Sequence, residues 1–236
     1  MKLVFASIPF IVACAHDPLT PGAGDKPGHG TNTLLVNGSV SAEPREGTSN
    51  ALDPASFSTD FRVHVQLNNT TVTTGTVTVT SYAGGMIPLS FTADNNGTWV
   101  GRGSGYEEVY QLDVISGADE VTGVIVDGPD IHTYVAPLAG ASLDSTTPID
   151  VKWERDEMAD TTSIRVGDLD RINIADTKLY TLAPSSLKAE KDQPRENTIE
   201  LRRSNQVAPA GAIGGSLFTV SVTNTLDVVA QPNPAL

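Results

Sequence analysis

From residue 33 onward, apolar and polar positions alternate with a period of two in run after run. This is the pattern of strands buried on one face. Phe61, Val63, Val65 and Leu67 alternate with Arg62, His64 and Gln66, and Val77 and Val79 alternate with threonines. Asn68 to Gly75 supplies turn chemistry between these runs and predicts a hairpin. Leu89 and Phe91 open another strand, Asp94-Asn95-Asn96-Gly97 is a strong turn, and Trp99 sits on the return strand. Val109, Leu112 and Val114, then Val121 to Val126, then Ile131 to Val135 continue the series, with "DGPD" at 127–130 ending one strand. This makes about seven strands over roughly 100 residues, the spacing of a β-sandwich.

A second series begins near Ala136. Pro137, Gly140 and Pro148 punctuate the start, and Ile149, Val151 and Trp153 then alternate with Asp150 and Lys152. Ile164 and Val166, Ile172 and Ile174, and Tyr180 and Leu182 follow. Ile199 and Leu201 alternate with Glu200 and Arg202, Phe218, Val220 and Val222 alternate with Thr219 and Ser221, and Leu226 to Val229 finishes. Only Ser185 to Asn197 has helical propensity, and Pro184 and Pro194 hold it to a short turn at most. The expected architecture is all-β: one sandwich over 34–136 and a second over 137–232, split near Ala136 to Gly140. No sequence repeat links the halves.

The start of the chain reads differently. Lys2 precedes an apolar run from Leu3 to Ala13, broken by Ser7 and Pro9. That run is too short for a spanning helix, which needs about 20 residues, and it suits the apolar region of a signal peptide. Ile11-Val12-Ala13-Cys14 ends it, and Cys14 is the chain's one cysteine. A lone cysteine forms no internal disulfide, so the core alone must hold the fold. Pro18, Pro21, Gly22, Gly24, Pro27, Gly28 and Gly30 follow, and residues 14–33 are expected to be a disordered tether.

Ile11 to Cys14 resembles the lipobox of bacterial lipoproteins. The resemblance implies a signal peptide over 1–13, fatty acylation of Cys14 (diacylglyceryl and palmitate-type chains) and anchoring in a membrane of the cell envelope. Ala15, standing where an Asp favours inner-membrane retention in that class, points to the outer membrane. The order of strands and the "TTGTVTVTS" run are similar to bacterial Ig-like and prealbumin-like modules. The Pro-x-x-Gly turn ahead of a strand carrying Trp153 resembles the opening of Ig-like and fibronectin-type domains. These likenesses imply Ig-like β-sandwiches.

The formal net charge of −13 excludes one class of partner. With no Lys/Arg cluster, the chain lacks the concentrated positive charge that phosphate backbones demand, so no nucleic acid is expected. No nucleophile elbow, H-E-x-x-H, P-loop or dinucleotide fingerprint occurs. Beyond the tether, Asp130 and His132 are the local acid–histidine pair, and His132 reads as a solvated residue at a strand end. Glu107 and Glu108 are adjacent, and neighbours in a strand face opposite ways, unlike a paired glycosidase site. No catalytic residue and no obligate cofactor is assigned. Asp127 with Asp130, and Asp168 with Asp170, are candidate calcium ligands, since extracellular β-domains bind calcium through turn carboxylates. Trp99, Tyr106 and Tyr110 are candidate sugar-stacking residues if exposed, and core residues otherwise. The expected function is a non-catalytic, lipid-anchored module that binds an envelope protein or a polymer. A carbohydrate-binding module using exposed aromatics is the first alternative, and a hydrolase the second.

Overall fold

The computed structural model describes residues 19–83, 85–94 and 97–235. Among the described residues, eighteen strands and a 3-10 turn at Pro54–Ser56 make up the named elements, with no α-helix. A five-stranded sheet runs, in spatial order, β1 (Lys26–Gly30), β10 (Asp119–Asp127), β9 (Val109–Ser116), β5 (Thr76–Ser81) and β6 (Met86–Pro88). A three-stranded sheet holds β11 (Thr133–Ala136), β13 (Ile149–Glu154) and β16 (Leu179–Leu182). The third sheet, of ten strands, runs β15 (Ile172–Ile174), β14 (Thr161–Val166), β17 (Arg195–Val207), β18 (Leu217–Ala230), β2 (Leu34–Pro44), β3 (Phe57–Leu67), β8 (Thr98–Ser104) and β7 (Ser90–Thr92). Two short strands pair onto it, β4 (Thr70–Thr71) on β3 and β12 (Ser142–Leu143) on β18.

The alternation predicts the faces well. Phe57, Phe61, Val63 and Val65 of β3 are buried, as are Leu34, Val36, Val40 and Ala42 of its antiparallel neighbour β2. They pack against Val77 and Val79 of β5, Leu112 and Val114 of β9, and Val121, Val124 and Val126 of β10. A second core joins Tyr134, Val151, Trp153 and Leu182 of the three-stranded sheet to Ile164, Ile199, Leu201, Leu226 and Val228 of the ten-stranded one.

The two cores share one sheet. β18 runs antiparallel along the whole of β17 and, through Leu217 to Val222, pairs parallel with β2. Phe218, Val220 and Val222 therefore belong to the first core, while Leu226, Val228 and Ala230 belong to the second. The chain changes from one core to the other near residue 136, but the ten-stranded sheet is continuous through both. Nothing in the local pattern could announce this, because the partners Val40 and Val220 are far apart in sequence.

Two further expectations are corrected. The segment after β3 does not fold back as a hairpin with β5. Asn68 and Asn69, at φ of 51° and 62°, make a tight turn of the kind their side chains tolerate, which pairs only β4 with β3. The chain then crosses to the five-stranded sheet. The tether is also shorter than its composition implies, since Lys26–Gly30 pairs with β10. Gly28 and Gly30 there serve close packing. A Cβ on Gly30 would lie 2.4 Å from the Glu120 carbonyl oxygen and 2.8 Å from that of Gly211.

Candidate functional site

A buried group of ionisable side chains lies between the two cores. Ile199, Leu201 and Arg203 share one face of β17, so the alternation that buries the first two also turns Arg203 inward, with no exposed side-chain surface. There its guanidinium meets the Asp130 carboxylate at 3.0 Å and the Asp176 carboxylate at 3.2 Å, and it donates to the backbone carbonyls of Asp130, at 2.9 Å, and Glu157. Asp176 also accepts from the Trp153 indole at 3.1 Å and the Ala159 amide at 3.0 Å, and pairs with Arg155 at 3.0 Å. Asp130 accepts from the amides of Asp156 and Glu157. Each buried charge is thus paired and hydrogen-bonded, the condition under which a buried charge is tolerated.

Burial pushes the Asp130 carboxyl up, but the Asp156 amide and the Arg203 guanidinium outweigh it and hold the group below the usual carboxylate range. Asp176 follows the same balance, with the Ala159 amide and Arg203 opposing burial. His132 goes the other way. Burial, then the nearby Arg203 charge, lowers its imidazolium pKa to about 3 against the opposing pull of Asp130 and Asp176. His132 is 0% exposed, and neither ring nitrogen has a hydrogen-bond partner among the described residues. Its ring meets Tyr134 edge-on at 6.0 Å, and its carbonyl accepts from the buried Asn224 amide at 2.8 Å.

This corrects the sequence reading of His132 as solvated. Asp130 and His132 are brought near one another, yet they form no acid–base dyad. Both Asp130 oxygens are engaged elsewhere, and the imidazole is sealed from solvent. Chemically, the arrangement cross-braces the 127–132 and 155–160 loops against β17. The phase of β17 is the signal that could have placed Arg203 inside, and its Asp partners carry no such mark.

The other candidates disperse. Trp99, Tyr106 and Tyr110 are 6%, 4% and 1% exposed, so they are core and not a stacking platform. Their polar ends are used within the core. The Trp99 indole donates to the Val72 carbonyl, the Tyr106 hydroxyl donates to that of Pro129, and the Tyr110 hydroxyl accepts from the Glu107 amide. Asp127 accepts from the Gly24 amide, and Asp168 pairs with Lys188. Asp168 and Asp170 line a polar groove of about 930 Å³ beside Arg165, Arg171 and Glu200. None of the four candidate calcium ligands joins a group of three or more His, Cys, Asp or Glu placed to hold a metal among the described residues. Glu107 caps the Ala83 amide, and the Glu108 carboxyl is pushed up by burial and by the charges of Asp130 and Asp127. Cys14 lies outside the described residues. No protein-family model matches the sequence, and neither does any curated protein.

Proposed function

We propose that this chain is a non-catalytic lipoprotein of the cell envelope, anchored through Cys14 and presenting its β-body to another envelope component, a protein or a polymer. The observation that carries the anchor is Ile11-Val12-Ala13-Cys14 at the end of an apolar run, with the chain's one cysteine at the junction. Two or three acyl chains, at about 0.8 kcal/mol per buried CH₂, hold a protein of this size on a bilayer. The non-catalytic reading is supported by how the ionisable groups are used, with Asp130, Asp176 and Arg203 occupied by one another and His132 enclosed. An outer-membrane location rests on Ala15 alone. An Ig-like kinship of the second core rests on Trp153 in its opening strand. Burial of Trp99, Tyr106 and Tyr110 removes the exposed-aromatic form of the carbohydrate-binding alternative.

Metabolic labelling with an alkyne fatty acid tests the anchor. The wild-type protein is expected to carry label and to fractionate with membranes, while Cys14→Ser is unlabelled and released. A mature protein without label, or with a first residue other than Cys14, overturns the reading.

A further inference from the structure

Four neighbouring strands of the ten-stranded sheet (β18, β2, β3 and β8) present an outward face over the first core. Their register sets two rows across the strands: Leu217, Asn37 and His64 in one, Thr219, Ser39 and Arg62 in the other. These side chains point away from the core because the alternate positions, among them Phe218, Val36, Val40, Phe61 and Val63, point into it. Together they line a shallow groove of about 500 Å³, and no carboxylate contributes to its wall. Crossing four strands, the groove is about 14 Å long, at a strand spacing of about 4.8 Å.

Its one charged lining residue is basic. Arg62 is exposed and forms none of the ion pairs among the described residues. Asp60, the nearest acid along β3, is already held by both arms of Arg102, at 2.7 and 3.1 Å. In the larger polar groove at the far end of the sheet, by contrast, Arg165 and Arg171 share Glu200, and Lys188 is matched by Asp168. A chain of net charge −13 therefore offers, in a concavity lined by hydroxyl, amide, imidazole and apolar groups, a guanidinium that forms no ion pair among the described residues, although its charge also helps to lower the Asp60 carboxyl.

The remaining groups suit a sugar. The His64 Nδ1 lies 2.8 Å from the Gly97 carbonyl, so in the neutral ring Nδ1 donates there and Nε2 is left as an acceptor. Asn37 offers donors and an acceptor, Ser39 and Thr219 offer hydroxyls, and Leu217 gives an apolar surface for the C–H face of a ring. The four strands are paired on both sides, so an extended peptide finds no free edge to join. We infer that this groove binds an anionic saccharide, a chain of carboxylate-bearing sugar units, with Arg62 taking a carboxylate through the parallel donors of its guanidinium. The inference rests on the polymer-binding form of the function proposed above, and it names the polymer's chemistry.

The test uses the full chain in detergent micelles, titrated with a galacturonate trisaccharide and with the neutral galactose trisaccharide of equal length. Inorganic phosphate and acetate serve as separate arms. The acidic trisaccharide is expected to bind about tenfold more tightly than the neutral one, the order of a single charge-assisted bidentate contact. Arg62→Ala is expected to abolish that difference, Arg62→Lys to retain part of it, and Arg165→Ala in the other groove to leave it intact. Amide shifts from the acidic sugar should centre on Asn37, Ser39, His64 and Thr219, a readout that needs no variant. Equal binding of the two sugars, equal binding of phosphate or acetate, shifts centred elsewhere, or capture of an acidic protein in place of sugar each overturns the assignment. The anchor is scored separately by labelling of Cys14, so the failure of either idea leaves the other standing or falling on its own data.

Discussion

His132→Phe should uncouple the protein's stability from protons in the mildly acidic range. In the folded state the imidazole is enclosed, and its pKa is lowered to about 3. In the unfolded chain it returns to about 6.5. The folded value is the lower one, so the unfolded state takes up the proton first as pH falls. The stability associated with a neutral His132 is therefore fully present above pH 6.5 and is lost progressively toward pH 3. The slope is about 1.4 kcal/mol per pH unit, which amounts to roughly 4–5 kcal/mol across the window. Phenylalanine is slightly larger and carries no proton. Overpacking would cost about 1–3 kcal/mol, and this offset does not vary with pH. The carboxyls of Asp130 and Asp176 are present in both proteins and largely cancel in the comparison. Urea unfolding at pH 7, 6, 5 and 4 gives the test. The stability of wild type minus that of the variant should be level near neutrality and then fall with the stated slope. Parallel profiles would mean that His132 titrates freely in the native state, and the enclosed imidazole would be refuted.

Two other perturbations probe the same frame. Trp153→Ala should destabilise by about 3–5 kcal/mol, the range for truncating a fully buried large aromatic, and toward the upper end because Asp176 loses the indole donor. Thermal and urea melts measure it, and a change near zero would place the ring outside the core. A fragment of residues 34–136 should show no cooperative melt by circular dichroism, because it lacks the Phe218, Val220 and Val222 strand and leaves β2 as an open apolar edge. A sharp, reversible transition in that fragment would show that the first core closes without β18.

Local alternation was enough to recover most strands and their inner faces, including that of Trp153, because burial on one side of a strand writes itself into neighbouring residues, whereas Trp99 was left open between core and stacking surface. What alternation does not encode is which strand lies beside which. The β2–β18 pairing joins distant segments whose side chains look like any others, so two self-contained halves were the natural expectation. The Pro/Gly segment around Lys26–Gly30 misled for a related reason. Glycine that permits a close backbone approach has the same letter as glycine that permits disorder. The inter-core cluster was half legible. The phase Ile199, Leu201, Arg203 turns the arginine inward, whereas Asp130, His132 and Asp176 sit in loops where periodicity is silent. The outer groove depends on cross-strand register, which no single strand reveals.

The parallel pairing of β2 with β18 also orders events in time. Val40 must find Val220, so closing the first core means closing a loop of about 180 residues. The length-dependent entropy of that closure is about 4–5 kcal/mol from the (3/2)RT ln n term. Such non-local pairing places the protein among slow folders. As the chain emerges N-terminus first, β2 and β3 can form their hairpin early, but the apolar face they present waits for the last strand. The core that begins first in the sequence thus waits for the last strand, as the second does, and until β18 arrives that face is what a holding chaperone would have to cover.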